Sequence, residues 1–132
     1  NTQPIGIFPT SCYYVAGDKV GDIMYNCKES DWKLYRKLIG YWQEKYIEKR
    51  LEEYKKILNK QENPSSRFWL LDKVIEEDKN TAGVLIVNSS RSKLLYILLG
   101  LLDCEVITFD DLSDFSDELK KEINFIYSHK NK

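Results

Sequence analysis

The longest periodic pattern in the chain covers residues 31–60, where large apolar side chains recur every three or four positions, with one shift in phase between Tyr46 and Leu51. This spacing places them on one side of an α-helix, while the other side is almost entirely Lys, Arg and Glu and is typical of solvated surface. Ser30 or Asp31 suits the N-cap, and Gly40 predicts either a kink or a division into two helices. The apolar positions are Trp32, Tyr35, Ile39, Trp42, Tyr46, Leu51, Tyr54 and Leu58.

Two further segments have helical spacing. Residues 63–66 break the first helix and cap a second one, whose apolar positions are spaced for one buried side over residues 67–77. A final amphipathic helix begins near residue 115, with Ser113 or Ser116 as its cap. The apolar positions are Phe68, Leu71, Val74 and Ile75 in the second helix, and Phe115, Leu119, Ile123 and Ile126 in the final one.

Three short apolar runs favour β-strands. Residues 5–8 stop at a proline, residues 83–87 are continuously apolar, and residues 104–109 follow an apolar helix at 94–102. A strand, a helix and a strand in this order form a βαβ unit, whose strands are parallel. Residues 12–25 contain turn-forming glycines and fit either a hairpin or a long mobile loop.

The pattern as a whole predicts a single α/β domain over residues 1–132. We expect three layers, with a mostly parallel sheet of about four strands and helices on both faces. The composition, 42% hydrophobic and 31% charged, supplies both a core and a solvated surface. The polar residues 128–132 are expected to form a disordered tail.

Charge and cysteine content narrow the classes of partner. The formal charge is −1. A domain that binds nucleic acid by itself usually carries a basic excess, although a local basic patch remains compatible with this average.

The cysteines indicate the compartment. Cys12, Cys27 and Cys104 are expected to be reduced thiols of an intracellular protein. One histidine, His129, gives little support for a metal site, and no cofactor is expected. No apolar run has the length of a membrane span, so we expect a cytoplasmic protein.

Candidate chemistry lies in the loops that follow the predicted strands. The loop after residues 83–87 opens a helix, so its backbone N–H groups and the side chains of Ser89, Ser90, Arg91 and Lys93 are candidates for binding phosphate or another anion. The alternative is that the serines cap the helix and Arg91 pairs with a surface carboxylate. A small protein that binds a phosphorylated metabolite or a nucleotide at these loops is one functional hypothesis.

The aromatic residues of the first helix are candidates for self-association. Trp32, Tyr35, Trp42 and Tyr46 lie at helical spacing, which is typical either of a core or of an interface with a second subunit. We predict a homo-oligomer that uses these four side chains.

Read in order, these segments resemble the catalytic domain of serine recombinases, the resolvase and invertase family. That family begins with a short strand leading to an arginine and the nucleophilic serine, and Ser11 falls at the position of this nucleophile after residues 5–8. Residues 67–77 and 84–109 resemble the family's helix, strand, loop, helix and strand, with Arg91 at the position of a loop arginine. The resemblance covers the first ten or so residues and about 67–127.

The departures from the family pattern fall at its catalytic positions. Pro9 stands where the family has an arginine, Ser90 stands where it has an aspartate, and Lys93 replaces a second loop arginine. Phosphoryl transfer depends on guanidinium groups that hold the phosphate with two donors, which lysine does not reproduce. The resemblance therefore implies a divergent binding or interaction module with little catalysis, associated with DNA through a separate domain or partner. The alternative that it implies is a recombinase domain that cleaves DNA through Ser11.

Overall fold

The structure is a computed structural model that describes residues 26–86 and 89–130. The predicted strand at residues 5–8 and the segment 12–25, together with Ser11, lie outside these residues. Within them the chain forms four α-helices and two short 3₁₀-helices. The α-helices are α1 Glu29–Leu58, α2 Pro64–Asp78, α3 Leu94–Asp103 and α4 Asp117–Lys130, and the 3₁₀-helices are Arg91–Lys93 and Phe109–Leu112.

All four predicted helices are confirmed, with small shifts at their ends. α1 is one continuous helix through Gly40, and it begins after Lys28, so that Ser30 and Asp31 lie in its first turn rather than at its N-cap. α2 starts with Pro64 after Asn63, whose side-chain oxygen accepts the backbone N–H of Ser66 at 3.3 Å. α4 includes residues 128–130, which the sequence predicted as part of a disordered tail.

The core is built around α3, which is apolar on all sides and is therefore buried on nearly all sides. The N-terminal half of α1 covers one side of α3, and α4 covers another, so that three helices share one apolar cluster. The fully buried side chains include Leu94, Leu98, Leu101, Leu119 and Ile123.

A buried carboxylate joins the start of α1 to the start of α4. Asp31 accepts the backbone N–H of Ser116 at 2.9 Å and the hydroxyl of Ser116 at 2.6 Å. The same hydroxyl accepts the backbone N–H of Leu119 at 3.2 Å, which confirms Ser116 as the N-cap of α4. Negative charge is favoured at helix N-termini, so Asp31 stabilises the start of α4. Because Asp31 itself belongs to α1, its hydrogen bonds to Ser116 also hold the starts of the two helices together.

The C-terminal half of α1 pairs with α2 as a helical hairpin, which we call the arm (residues 43–78). α2 packs mainly on α1, and the residues of the arm contribute little to the apolar cluster around α3. Gln43 donates to the carbonyl of Ala82 at 3.1 Å and so anchors the chain that leaves α2.

The predicted α/β fold is wrong, because no residue in the described ranges 26–86 and 89–130 is in a β-strand. Residues 83–84 belong to a turn, in which the backbone N–H groups of Val84 and Leu85 both donate to the carbonyl of Thr81, at 3.1 and 2.9 Å. Those donors are therefore unavailable to a neighbouring strand. The parallel sheet with helices on both faces is replaced here by helices packed on helices.

The second predicted strand is instead the end of α3. The N–H of Val106 donates to the carbonyl of Leu101 at 2.8 Å, and the N–H of Glu105 donates to the carbonyl of Leu102 at 3.0 Å. With Glu105 at φ 61°, these bonds form a Schellman cap. The apolar run 104–109 therefore turns back on its own helix, and Ile107 is buried by this turn.

Two other expectations can be compared with the described residues. Cys104 is disulfide-bonded, so the prediction of reduced cysteines was wrong for Cys104. The cytoplasmic location, which drew on reduced thiols, loses that support and stays a prediction. Among the described residues, no helix combines the length and the apolar character that crossing a membrane requires.

Candidate functional site

In the loop that the sequence predicted as an anion-binding site, the arginine already binds a carboxylate of the chain itself. Arg91 donates to both carboxylate oxygens of Glu29, with N–O distances of 2.8 and 3.0 Å, and its guanidinium lies 5.5 Å from the ring centroid of Trp32. The hydrogen bond from Arg91 lowers the pKa of Glu29, so the pair stays charged. An anion at this loop would have to displace a carboxylate that is already bound by two donors.

The serine side chains of that loop also lie close to other hydroxyl groups of the chain. The Ser89 hydroxyl lies 3.3 Å from the Tyr35 hydroxyl, and the Ser90 and Ser92 hydroxyls lie 3.3 Å apart. Lys93 is half-buried at the end of the 3₁₀-helix Arg91–Lys93. The surface ion pair of Arg91 matches the structural alternative for this loop, whereas no serine side chain caps the 3₁₀-helix.

The aromatic residues predicted at a subunit interface lie inside the single chain. Trp32, Tyr35 and Trp42 are buried in the apolar cluster, with Trp42 stacked on Phe115 at 6.3 Å between ring centroids. Tyr46 is half-buried against the backbone of Gly83, where any side chain would meet its ring. Trp32, Tyr35 and Trp42 therefore follow the core alternative, whereas Tyr46 is covered only in part. The homo-oligomer stays a prediction.

A polar cluster between the two helices of the arm concentrates titratable groups. One carboxylate oxygen of Asp78 accepts Arg50 Nε at 2.8 Å and also accepts the Tyr54 hydroxyl. Burial, then the hydrogen bond to Asp78 and its charge, raise the pKa of Tyr54 to about 12. Thr81 donates to the Asp78 carbonyl at 2.8 Å. Each group is held by another group of the chain, so the cluster acts as a clamp between α1 and α2.

The turn at the end of the arm forms an open, polar pocket, lined by residues 58–63 and Arg67. Arg67 donates to the carbonyl of Leu58 at 2.7 Å and to the carbonyl of Glu62 at 3.0 Å. The cation therefore completes the C-terminus of α1, where carbonyl groups lack helical partners. Its role is to close the hairpin.

One exposed surface is not explained by contacts within the chain. Positions 33, 36, 37, 40, 41 and 45 of α1 all face solvent, on the side opposite the core. We call this surface the basic face, and it consists of Lys33, Arg36, Lys37, Gly40, Tyr41 and Lys45. Residues 32–43 contain no acidic side chain, so Lys33, Arg36 and Lys37 are followed by no acidic residue until Glu44.

The cations at the start of the basic face have no ion pair among the described residues. Salt bridges engage basic residues elsewhere, such as Lys55 with Glu52 at 3.2 Å and Lys120 with Asp117 at 3.7 Å, but Lys33, Arg36 and Lys37 form none. Of the two acids in the first turn of α1, Asp31 is bound by Ser116. Glu29 is bound by Arg91, and the charge of Lys33, one turn further along, also lowers the pKa of Glu29. The basic face therefore keeps its positive charge, although the whole chain carries −1.

Gly40 lies in the middle of the basic face. A Cβ built at this position would meet no described atom within 4 Å beyond its chain neighbours and the backbone of its own helix. Glycine inside a helix costs about 1 kcal/mol relative to alanine, and no contact within the described chain requires its small size. A glycine of this kind gives an approaching partner direct access to the backbone.

Tyr41 stands next to this glycine. Its side chain is 60% exposed, and Lys45 Nζ lies 5.2 Å from the ring centroid. An exposed aromatic ring beside a cation is a frequent element of surfaces that bind polyanions with planar groups. Glu44 is also exposed, and because it comes three residues after Tyr41 and four after Gly40 it lies on the same side of α1, with Glu48 one turn further. The excess of positive charge is therefore greatest at residues 33–37.

A second exposed surface, on α2, has different chemistry. Phe68 and Trp69 are 59% and 64% exposed, and their rings meet edge to face with centroids 4.9 Å apart. Nothing in the structure indicates what would cover this aromatic pair, so it serves below as a control surface.

Comparisons with known proteins give no assignment, because no family model, no curated protein and no solved structure matches this chain. Within the described residues, no group of three or more His, Cys, Asp or Glu side chains is arranged to hold a metal ion. The candidate site therefore rests on the charge and shape of the basic face. The sequence analysis treated this surface as ordinary solvated helix, and the signal that it missed was the absence of acidic residues from 32 to 43.

Proposed function

We propose that this chain is a binding module that attaches to a linear polyanion through the basic face of α1. The observation that carries the proposal is a row of exposed cations beside an exposed glycine, in a chain whose net charge is −1. Lys33, Arg36 and Lys37 in this row form no salt bridge with any residue of 26–86 or 89–130. Cations that have no internal partner attract phosphate or sulfate groups and release the counterions of the polymer on binding.

The earlier hypotheses that depend on the predicted loops receive less support. Arg91, the arginine that the recombinase resemblance placed in a phosphate site, is bound by Glu29. The resemblance implied a parallel sheet, and the described residues contain none. DNA cleavage through Ser11 and binding of a phosphometabolite stay predictions, and neither contributes to the present proposal.

Retention on immobilised heparin tests the proposal. The net charge of −1 opposes retention of the chain as a whole, so retention must come from a local positive surface. We expect the double variant Lys33→Glu/Lys37→Glu to elute at a markedly lower salt concentration than the unmodified chain, because binding weakens steeply as phosphate-type contacts are lost.

The matched control reverses two exposed lysines elsewhere, Lys73→Glu in α2 and Lys121→Glu in α4. This control has the same net charge as the test variant and should elute close to the unmodified chain. Equal elution of both double variants, or failure of the unmodified chain to bind heparin in low salt, would refute the proposal. Circular dichroism of all three proteins checks that their helix content is unchanged.

A further inference from the structure

We infer that the polyanion is a single-stranded nucleic acid, with Tyr41 as a stacking platform for a base; this inference rests on the proposed function. Proteins that bind single strands without reading sequence combine a positive groove or track with aromatic rings on which bases stack. The basic face has both components on one side of α1.

The position of Tyr41 suits a stacking role. Its side chain is 60% exposed, and Lys45 Nζ lies over one side of the ring, 5.2 Å from the centroid, so a base stacks on the other side or displaces this lysine. A base that stacks on the ring would place its phosphate close to the neighbouring cations. Every base has a flat face, so such a platform accepts any sequence.

Gly40 supplies the room that this arrangement needs. Because nothing lies within 4 Å of a Cβ built there, the helix surface beside Tyr41 is flat and open. A sugar or phosphate can therefore approach the backbone of α1 directly, which a larger side chain would prevent. This explains a helical glycine that the packing of the chain does not require.

The spacing of two cations and of Tyr41 along α1 is compatible with the repeat of a single nucleic acid strand. Lys33, Lys37 and Tyr41 are four residues apart, which corresponds to steps of about 6 Å along the helix axis. This distance is of the same order as the separation of neighbouring phosphates along a nucleic acid strand. Arg36 adds a planar donor that can bind phosphate through two N–H groups.

The chemistry of the basic face favours a single strand over two other polyanions. In a duplex the base faces are covered by their neighbours, so Tyr41 would have no surface on which to stack. An anionic membrane would need apolar side chains to insert beside the cations. The exposed apolar residues Leu51, Leu58, Phe68 and Trp69 lie outside the basic face, which leaves Tyr41 alone there.

Fluorescence anisotropy with labelled oligothymidylate tests the inference. An oligomer of about 20 nucleotides exceeds the roughly 4–16 nucleotides that a binding fold usually covers. The second probe is a duplex of the same length and label, and the third is a vesicle of phosphatidylglycerol and phosphatidylcholine. We expect the full chain to bind the single strand more tightly than the duplex and to leave the vesicles in the supernatant on sedimentation.

Substitution of Tyr41 separates stacking from charge. Tyr41→Ala should weaken single-strand binding roughly 5- to 150-fold, the range that loss of one base stack produces, whereas Tyr41→Phe should retain most of the affinity. Trp69→Ala is the matched control, because Trp69 is equally exposed on another helix and should not contribute. Elution from heparin should change little for all three variants.

The outcomes distinguish the inference from the proposed function. If heparin retention depends on Lys33 and Lys37 but the single strand and the duplex bind equally, or Tyr41→Ala binds like Trp69→Ala, the inference is wrong and the proposed function stands. Binding to vesicles in preference to the single strand would also overturn the inference. If the chain binds neither heparin nor any of the three probes, both are wrong.

Discussion

The two halves of α1 are held by different physical interactions. In the N-terminal half, Trp32, Tyr35 and Trp42 are buried among α3 and α4. In the C-terminal half, Arg50 and Tyr54 are joined to α2 by hydrogen bonds to Asp78. Apolar burial is non-directional and contributes about 1.5–3 kcal/mol for a large side chain. A hydrogen bond to a charged group contributes a similar amount only while both partners and their geometry are intact.

This difference indicates where each half can be disrupted. The N-terminal half depends on the volume of the apolar core, so its weakness is a cavity. The arm buries fewer large apolar side chains, such as Ile57, and adds the hydrogen bonds of a few polar groups, so it is also sensitive to the loss of one hydrogen-bond partner. The predictions below test this distinction, from the largest expected effect to the smallest.

Truncation of the core should have the largest effect. Leu98 is fully buried in α3, and Leu98→Ala should lower the free energy of unfolding by about 2–5 kcal/mol because it leaves a cavity. Urea denaturation followed by circular dichroism measures the change. Leu85→Ala is the control, since Leu85 is 55% exposed and should change stability by only about 0.5 kcal/mol. Equal losses in the two variants would contradict the assignment of the core to α3.

Removal of the carboxylate in the arm should have a smaller and more local effect. Asp78→Asn takes the charge away from Arg50 and Tyr54 and should cost about 1–3 kcal/mol. Hydrogen exchange measured by mass spectrometry should show faster exchange in residues 43–78, with little change in α3 and α4. Asp72→Asn, an exposed position on the same helix, is the control. Faster exchange spread evenly over all helices would show that arm and core are one cooperative unit.

High pH should weaken the same clamp. The pKa of Tyr54 is raised from 10.0 to about 12 by burial and by Asp78, so its neutral form is stabilised in the folded chain. The stabilisation is complete below about pH 10 and is lost as the pH rises to about 12. The difference in unfolding free energy between the unmodified chain and Tyr54→Phe should therefore shrink over this range. A difference that stays constant would show that the phenol does not depend on the carboxylate.

The smallest effect is expected at Gly40. Because a Cβ there meets no atom within 4 Å, Gly40→Ala should raise the free energy of unfolding by up to about 1 kcal/mol, through the better helix propensity of alanine. Thermal denaturation measures the gain. Gly83→Ala is the contrasting variant, because its Cβ would collide with the ring of Tyr46 and should destabilise the chain. A loss of stability at Gly40 would mean that the glycine is needed by the fold rather than by a ligand.

The sequence was sufficient to predict the helices because their signal is local. Spacing of apolar residues at three and four positions determines α1, α2 and α4 regardless of what they pack against. Two caps were recognisable in part, because side chains of these types satisfy backbone N–H groups that every helix leaves free. Residues 63–66 include the cap Asn63, and Ser116 was one of two candidates for the cap of α4. These features do not depend on the rest of the molecule.

The strands were mispredicted because a short apolar run does not specify its own secondary structure. Residues 104–109 have the composition of a strand, but Glu105 takes a left-handed conformation that usually belongs to glycine, and so closes the end of α3. A glycine at that position would have signalled the cap. For residues 83–86, the bonds to Thr81 decide the turn, and no local pattern indicates them.

The candidate site could be predicted only in part. Arg91 was identified as a candidate, but its capture by Glu29 joins residues 62 positions apart in sequence and requires the fold. The aromatic residues of α1 had two equally local explanations, core and interface, and burial decided for the core. The basic face was visible as charge, yet only the structure shows which of its cations form no salt bridge with the described residues.

The three tryptophans of the chain are divided between the two regions: Trp32 and Trp42 are buried in the core, and Trp69 projects from the arm with 64% exposure. A soluble fluorescence quencher such as acrylamide can collide with Trp69 in the native protein, while the other two indoles are shielded. An opening of the core would make Trp32 and Trp42 accessible as well. The chain thus carries built-in optical probes that report, without any label, which of its two regions has opened.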